Sequence, residues 1–315
     1  MSGLACGIDV GGTKIAGGVV DTDGTILAQA RVESPATDSD AIENAIEQVV
    51  RLLQLDHDIT SVGIGAAGFV DKLRSTVMFA PNLAWRDEPM KADLERRLSL
   101  PVVVENDANV AAWGEFEFGA GKDVVDLLLV TVGTGVGGGI VLDGELYRGG
   151  FGVAAEIGHL RVERNGRACG CGNRGCWEQY ASGSALVRGA RKAAENGSLL
   201  AQGLLDRAGG VPKDITGPMI SEAAAEGDRF AIEQIELLGQ WLGEGIAQLA
   251  AVLDPAVAVI GGGVSEVGDL LLDPIRAAFR TNLTARGHRP ELEIRKAELG
   301  NAAGMIGAAD LARRG

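Results

Sequence analysis

Residues 4–20 read LACGIDVGGTKIAGGVV, and residues 127–142 read LLLVTVGTGVGGGIVL. Each stretch is an apolar, β-prone run broken by a glycine-rich turn. Each leads through an Asp-Gly turn into a third run, which predicts a strand–turn–strand–turn–strand unit. The glycine-rich turns lie 122 residues apart and the Asp-Gly turns 120 residues apart. A three-strand pattern repeated at nearly constant offset indicates an internal duplication.

Helical and strand-like segments alternate after each three-strand unit. Amphipathic spacing predicts helices at roughly residues 40–53, 90–98, 107–116, 228–252, 269–279 and 301–313. Apolar runs between these helices predict further strands, so the fold class is α/β, built as two similar halves around a cleft. We expect the hinge near Phe118–Gly121 and an inserted segment at about residues 151–180 in the second half.

The composition narrows the class of protein. The chain has 315 residues, a formal net charge of −14, 46% hydrophobic residues and 23% charged residues. This is a folded globular composition, and the acidic balance argues against a non-specific nucleic-acid binder. No apolar run reaches 18 residues and no signal peptide precedes the first strand, so we expect no membrane insertion and a cytoplasmic location.

Three glycine-rich loops are candidates for phosphate or nucleoside binding, because glycine lets a ligand approach the backbone closely. A plain hairpin or tight connection would also explain each of them. The G-x-G-x-x-G within residues 133–138 is followed by a strand, not by the helix that a dinucleotide fold requires. No Walker A motif is present. The candidate residues are Gly11, Gly12, Thr13, Lys14, Thr134, Gly135, Gly262 and Gly263.

A compact cluster of cysteines is the most specific signal. His159, Cys169, Cys171 and Cys176 form H-x9-C-x-C-x4-C. One imidazole and three thiolates suit tetrahedral zinc, and because protein fills all four positions, this zinc would be structural. Cys6 stands alone in an apolar run and is interpreted as a buried small hydrophobe.

Carboxylates flank this cluster and also end a predicted strand. Glu156 and Glu178 could be solvated charges, but a metal-ordered loop would present them with His159 to vicinal hydroxyls. In ENDAN, residues 105–109, an Asn or Asp at the strand–helix junction is an ordinary helix cap. An Asp at the mouth of a cleft, here Asp107, can also accept a hydroxyl proton during phosphoryl transfer, and Asn106 can bind hydroxyls.

Together DVGGTK, LLLVTVGTGVGGGIV, EIGH, CGCGNRGCWE and ENDAN resemble the ROK family (repressors, open reading frames, kinases) and, within it, the bacterial glucokinases. The resemblance spans essentially the whole chain. It implies a duplicated actin-like (ribonuclease-H-like) ATPase fold. It also implies an N-terminal domain over residues 1–118, with helix 301–315 packing back on it, and a C-terminal domain over residues 119–300 carrying the zinc loop.

The resemblance further implies ATP-dependent phosphorylation of glucose at its 6-hydroxyl, with structural Zn²⁺ and with Mg²⁺ accompanying ATP. Asp107 resembles the catalytic base, and the glycine loops resemble the phosphate and adenosine loops. A dimer or tetramer is expected from the resemblance alone. Because the first strand begins near Leu4, we expect no DNA-binding extension like that of the family's repressors. The set that resembles the sugar site is Gly68, Asn106, Asp107, Glu156, His159 and Glu178.

Three alternatives stay open on the sequence. The chain could be a ROK kinase for another hexose, such as N-acetylmannosamine, fructose or mannose. It could be a non-enzymatic sugar sensor, although Asp107 and the nucleotide loops are intact. It could use polyphosphate as donor, although the acidic charge disfavours a long polyanion track.

Overall fold

A computed structural model describes residues 3–80 and 83–315. Its first part contains β1 (Leu4–Val10), β2 (Lys14–Val20), β3 (Ile26–Glu33), α1 (Ser39–Gln54), β4 (Ile59–Ala66), β5 (Phe69–Val70), β6 (Val77–Phe79), β7 (Arg86–Glu88), α2 (Met90–Leu98), β8 (Val102–Asn106) and α3 (Asp107–Phe118). A five-stranded sheet has the order β3-β2-β1-β4-β8, and β5, β6 and β7 form a small separate sheet. Strands β1 to β3 pair antiparallel, whereas β4 lies parallel to both β1 and β8.

The rest of the chain repeats this plan. It contains β9 (Leu127–Val132), β10 (Val136–Leu142), β11 (Glu145–Leu146), α4 (Glu178–Ala181), α5 (Gly183–Glu195), α6 (Gln202–Arg207), α7 (Gly217–Ala225), α8 (Arg229–Leu253), β12 (Val257–Gly261), α9 (Asp269–Asn282), β13 (Glu293–Lys296) and α10 (Ala303–Arg314). The second five-stranded sheet has the order β11-β10-β9-β12-β13, which matches the first sheet strand for strand. The predicted duplicated α/β fold is therefore confirmed.

Polar caps start several of the helices at the positions that the sequence favours. The side chains of Asp38, Asn106, Ser182 and Asp228 each accept a hydrogen bond from a backbone N–H in the first turn of the following helix. Such caps satisfy donors that have no partner inside the helix. Within residues 3–80 and 83–315, no helix has both the length and the apolar content needed to cross a membrane.

The helices between residues 178 and 225 were missing from the sequence prediction. Helix α5 buries Leu186, Ala190 and Ala194 at intervals of four residues, and Ser182 caps its start. These positions lie on one face of the helix, so the helical periodicity is present in the sequence although two of the three residues are alanine. The cap followed by four-residue spacing is the signal that could have located this helix.

Helix α10 packs tightly on β1, β4 and α3, and this packing depends on glycine. A Cβ atom on Gly7 of β1 would lie 1.8 Å from the Met305 carbonyl oxygen, and one on Gly63 of β4 would lie 1.8 Å from that of Ala308. Backbone therefore touches backbone at these points, where any side chain would be excluded. The contact fixes the C-terminal helix against the first sheet.

Contacts within the chain define two compact units. The first holds the described residues up to Leu129, together with Gly138–Ala155 and Glu298–Gly315, and the second holds Val130–Gly137 and Glu156–Ala297. These units and the predicted boundary after residue 118 assign residues 119–129 and 138–155 differently, because β9 and β10 each contribute residues to both units. The domain boundary at residue 118 stays a prediction.

Candidate active site and metal centre

The junction of β8 and α3 presents the candidate catalytic carboxylate. Asn106 ends β8 and caps α3: its Oδ1 accepts from the backbone N–H groups of Ala108 and Asn109 at 2.9 and 3.0 Å. Its Nδ2 donates to the Gly68 carbonyl at 3.1 Å, so Gly68 meets Asn106 through its backbone. Asp107 follows as the first residue of α3 and is exposed, at the end of the helix where the macrodipole favours negative charge.

A buried carboxylate behind this junction was not predicted. Glu105 is 1% exposed, and its Oε2 lies 3.1 Å from Arg74 Nε. The same oxygen lies 2.5 Å from Arg148 Nε, as an ion pair without the alignment of a hydrogen bond. Asn109 Nδ2 donates to the other Glu105 oxygen at 3.1 Å. These contacts hold the end of β8 rigidly where Asp107 begins. The signal available in sequence was a Glu closing an apolar strand, a position where charge needs a partner.

The first glycine-rich turn joins β1 to β2. Gly11 N–H donates to the Lys14 carbonyl at 3.0 Å, and the residues between them are exposed, so Gly12 and Thr13 lie at the tip of the turn. Asp9 precedes the turn; burial raises the pKa of its carboxyl group, and the charge of Lys14 opposes that shift. The sequence analysis quoted Asp9 within its motif but gave it no role.

The corresponding turn of the second sheet joins β9 to β10. It lies beside residues 156–178, which carry the candidate metal ligands and are called the metal loop below. Gly133 N–H donates to the Gly135 carbonyl at 3.1 Å, and Thr134 is exposed at the tip. A Cβ atom on Gly135 would lie 2.7 Å from Glu178 Oε2. The turn and this carboxylate are therefore neighbours within the second unit.

The third loop borders a large cavity. Gly262 has φ +83°, and a Cβ there would lie 2.5 Å from the Val132 carbonyl oxygen, so only glycine fits. Gly263 faces open space, and with Thr134 it lines a cavity of about 1250 Å³. Helices α5 and α7 supply much of the remaining wall, including Arg188 and Arg191. The structure thus brings two of the predicted loops to one cavity large enough for a nucleotide.

The predicted metal ligands converge. One atom from each of His159, Cys169, Cys171 and Cys176 lies within 4.8 Å of the others. Cys171 Sγ and Cys176 Sγ are 3.6 Å apart, and Cys169 Sγ lies 3.7 Å from His159 Nδ1. Tetrahedral zinc with Zn–S bonds of about 2.3 Å requires sulfur atoms about 3.8 Å apart. The donor set and its spacing therefore fit zinc.

A short 3₁₀ turn and two isolated β-bridges surround the four candidate ligands. A 3₁₀ turn spans Ile157–His159, and two isolated bridges pair Arg161 with Cys176 and Ala168 with Arg174. Burial raises the pKa of the Cys169 thiol to about 12, so this thiol needs a cation nearby to ionise. Burial also opposes ionisation of Cys171, but hydrogen bonds from the Asn173 backbone and the neighbouring thiols lower its pKa.

His159 lies between the metal ligands and two carboxylates. Its Nδ1 faces Cys169 and is 3.8 Å from Glu178 Oε1, whereas its Nε2 is 3.9 Å from Glu156 Oε2. One ring nitrogen is thus directed at the thiols and the other is left for a ligand. Burial raises the pKa of Glu156; His159 opposes the shift and the negative charge of Glu178 adds to it. Three polar groups that can bind hydroxyls thus meet at one place.

The predicted sugar-binding residues are divided between the two units. Gly68, Asn106 and Asp107 belong to the first, and Glu156, His159 and Glu178 belong to the second. Each group of three is brought together in its own unit. Their action on one sugar stays a prediction.

Comparisons with known proteins identify the family of this chain. The sequence profile of the ROK family matches residues 5–315. A glucokinase from Streptomyces coelicolor is 51% identical over 311 residues, covering 99% of this chain and 98% of that protein. The crystal structure of a ROK family glucokinase from Streptomyces griseus, in complex with glucose and AMPPNP, is 52% identical with a TM-score of 0.91, covering 99% of this chain and 100% of that one. The ROK hexokinase from Thermus thermophilus is 32% identical with a TM-score of 0.79, covering 99% of this chain and 98% of its own. On these matches, the chain belongs to the ROK family.

Proposed function

We propose that this protein is an ATP-dependent glucokinase that transfers the γ-phosphoryl group of ATP to the 6-hydroxyl of glucose. The observation that carries the proposal is the placement of His159. It turns one ring nitrogen to the cysteine cluster and the other toward Glu156, beside Glu178. The glucokinases from the two Streptomyces species, similar over nearly the whole chain, support the same activity.

The proposed sugar-binding side chains are groups that form hydrogen bonds with vicinal hydroxyls. Carboxylates accept hydrogen bonds from hydroxyls, and the free nitrogen of His159 can donate or accept according to its tautomer. Asn106 is held by its cap and by the Gly68 carbonyl, which fixes its orientation. Bound zinc would be held by His159, Cys169, Cys171 and Cys176, and would order the loop that presents Glu156 and Glu178.

Asp107 is proposed as the general base. An exposed carboxylate at a helix N-terminus can accept the proton of the sugar hydroxyl as its oxygen attacks phosphorus. The bond from that oxygen to phosphorus forms as the bond to the ADP oxygen breaks. The ion pairs of Glu105 with Arg74 and Arg148 hold the end of β8, and this strand end positions Asp107.

ATP is proposed to occupy the cavity of the second unit. Gly262 and Gly263 approach the nucleoside, and Thr134 and Gly135 lead to the phosphates. At the tip of the first turn, Gly12 and Thr13 supply backbone N–H groups, with Lys14 as a cation, for phosphate oxygens. Mg²⁺ accompanies ATP and neutralises its charge, and the half-buried Asp9 is a carboxylate that could hold it.

The cellular setting is part of the proposal. ATP as donor and unpaired thiols as metal ligands both suit the reducing cytoplasm. A homo-oligomer, dimer or tetramer, and closure of two domains around the substrates remain predictions from the family.

One assay tests the proposal against its alternatives. ADP release would be measured with glucose, mannose, fructose and N-acetylmannosamine, while product formation from polyphosphate and zinc content are followed on the same preparation. The proposal expects the highest kcat/KM for glucose with ATP, and about one zinc per chain. A preference for another hexose or for polyphosphate would replace the substrate assignment. Sugar binding without turnover would indicate a sensor.

A further inference from the structure

We propose that Glu43, Glu88 and Asp93 bind a hard divalent cation, such as Ca²⁺ or Mg²⁺, at a site separate from the cysteine cluster. The three residues come from α1, β7 and α2. One carboxylate oxygen from each lies within 4.8 Å of the others. Oxygen atoms at opposite sides of a Ca²⁺ ion with bonds of about 2.4 Å are about 4.8 Å apart, so the spacing accommodates such an ion.

A buried oxygen without a partner points to the missing ligand. Glu43 is only 2% exposed, and its Oε1 has no hydrogen-bond partner within the described chain. Its Oε2 is satisfied by Arg97 Nη2 at 2.9 Å. An ionised oxygen buried without a partner is costly, and proteins compensate such groups with hydrogen bonds, ion pairs or metals. A cation at Glu43 Oε1 would complete the site.

The charge balance points the same way. Glu43 pairs with the guanidinium of Arg97, which also donates to Asn44 Oδ1 at 2.5 Å. Arg96 pairs with Asp93 at 2.6 Å, but the Arg96 side chain is 68% exposed and is free to swing into solvent. Arg97, whose side chain is 24% exposed, balances one of the three carboxylates, and a divalent ion would neutralise the remaining negative charge.

The chemistry of the ligands selects the class of ion. All three candidate ligands are carboxylate oxygens, which suit Ca²⁺ and Mg²⁺ and not thiophilic metals. The ion would tie α1 to β7 and α2, and α2 leads into β8, which ends at Asn106. It would therefore stabilise the layer that supports the strand end before Asp107. The site is independent of the proposed activity.

Terbium luminescence and thermal unfolding test the proposal on the full-length, zinc-loaded protein. Trp85 is fully buried three residues before Glu88, in the same core as Ile42 and Leu94, and can sensitise Tb³⁺ bound nearby. We expect sensitised emission that Ca²⁺ or Mg²⁺ displaces and that Trp85→Phe weakens. In resin-treated buffer, Ca²⁺ or Mg²⁺ at about 100 times its Kd should raise the Tm by roughly 3–8 °C.

Matched variants separate this site from other binding. Glu43→Gln and the half-buried Glu88→Gln should each lose the emission and the Tm rise. Glu47→Gln, which removes the same charge one turn along α1, should keep both. The proposal is overturned if wild-type protein shows neither sensitised emission nor a Tm rise. That result is expected if a proton on Glu43 takes the place of the ion. The proposal is equally overturned if Glu88→Gln responds like wild type.

Discussion

The two candidate halves of the active site are held in different ways. At the β8–α3 junction, Glu105 is 1% exposed and contacts two arginines, and Asn106 caps the helix with both of its amide atoms bonded. In the metal loop, the side chains of Glu156 and His159 are 40% and 32% exposed. Two isolated β-bridges pair the backbone of this loop. One half is ordered by packing and hydrogen bonds, and we propose that the other is ordered by a bound metal ion.

This difference separates the two kinds of damage that mutations can do. A change at the junction should alter chemistry or global stability and leave the metal in place. A change in the loop should release the metal and weaken sugar binding while the rest of the fold persists. In the proposed function, catalysis at Asp107 would rest on a rigid strand end, and recognition by Glu156, His159 and Glu178 would rest on a loop that bound zinc orders.

The largest effect is expected for Asp107→Asn. Losing a general base typically costs ~10²–10⁴ in rate, so kcat should fall by that factor while glucose affinity persists. Steady-state kinetics and calorimetric titration with glucose measure the two quantities. Asp143→Asn, at an exposed Asp in the β10–β11 turn, is the control and should keep wild-type kcat. Near-normal turnover in Asp107→Asn would remove the base assignment.

Glu105→Gln should destabilise the β8–α3 junction, because it removes the charge of the buried carboxylate. It leaves Arg74 and Arg148 without their buried carboxylate, and removing one partner of a buried pair costs about 3–5 kcal/mol. Urea unfolding should show that loss in the free energy of unfolding, with zinc content unchanged. Loss of zinc along with stability would show that the two halves are not ordered separately.

Cys171→Ser should disrupt the metal loop. Loss of one thiolate should release zinc and raise the KM for glucose by roughly 10–100-fold, because the loop no longer holds its polar groups in place. Zinc content and KM would be measured on one preparation. Cys6→Ala, at a buried thiol of the first sheet outside the cluster, should retain zinc. Full glucose affinity in metal-free Cys171→Ser would contradict this role of zinc.

The smallest effect is a pH dependence of sugar binding. Since burial and the charge of Glu178 raise the pKa of Glu156, this carboxylate gains its proton at a higher pH than an ordinary Glu. As pH falls from 8 toward 5, the KM for glucose should rise by a few-fold, and Glu156→Gln should flatten that rise. An identical rise in Glu156→Gln would assign the titration to another group.

Local signals predicted much of the fold and part of the site. The apolar, β-prone runs around the turns at residues 11–14 and 133–136 predicted the repeated three-strand units, because apolar runs and turn residues act over a few positions. The spacing of the four metal ligands was sufficient to predict a cluster. Among the missed helices, α4 and α6 are only four and six residues long, whereas the four-residue spacing of the longer α5 was overlooked.

The amino-acid sequence alone predicted the duplication, the glycine turns and the cluster of candidate metal ligands, because each depends on residues close together along the chain. Only the tertiary structure decided that Arg148 faces Glu105, that Glu43 lies beside Asp93, and that α5 and α7 enclose a cavity with Gly263. These contacts join segments separated by many residues. Their cause is the burial of charge and the close approach of packed elements, which periodicity along a single segment does not record.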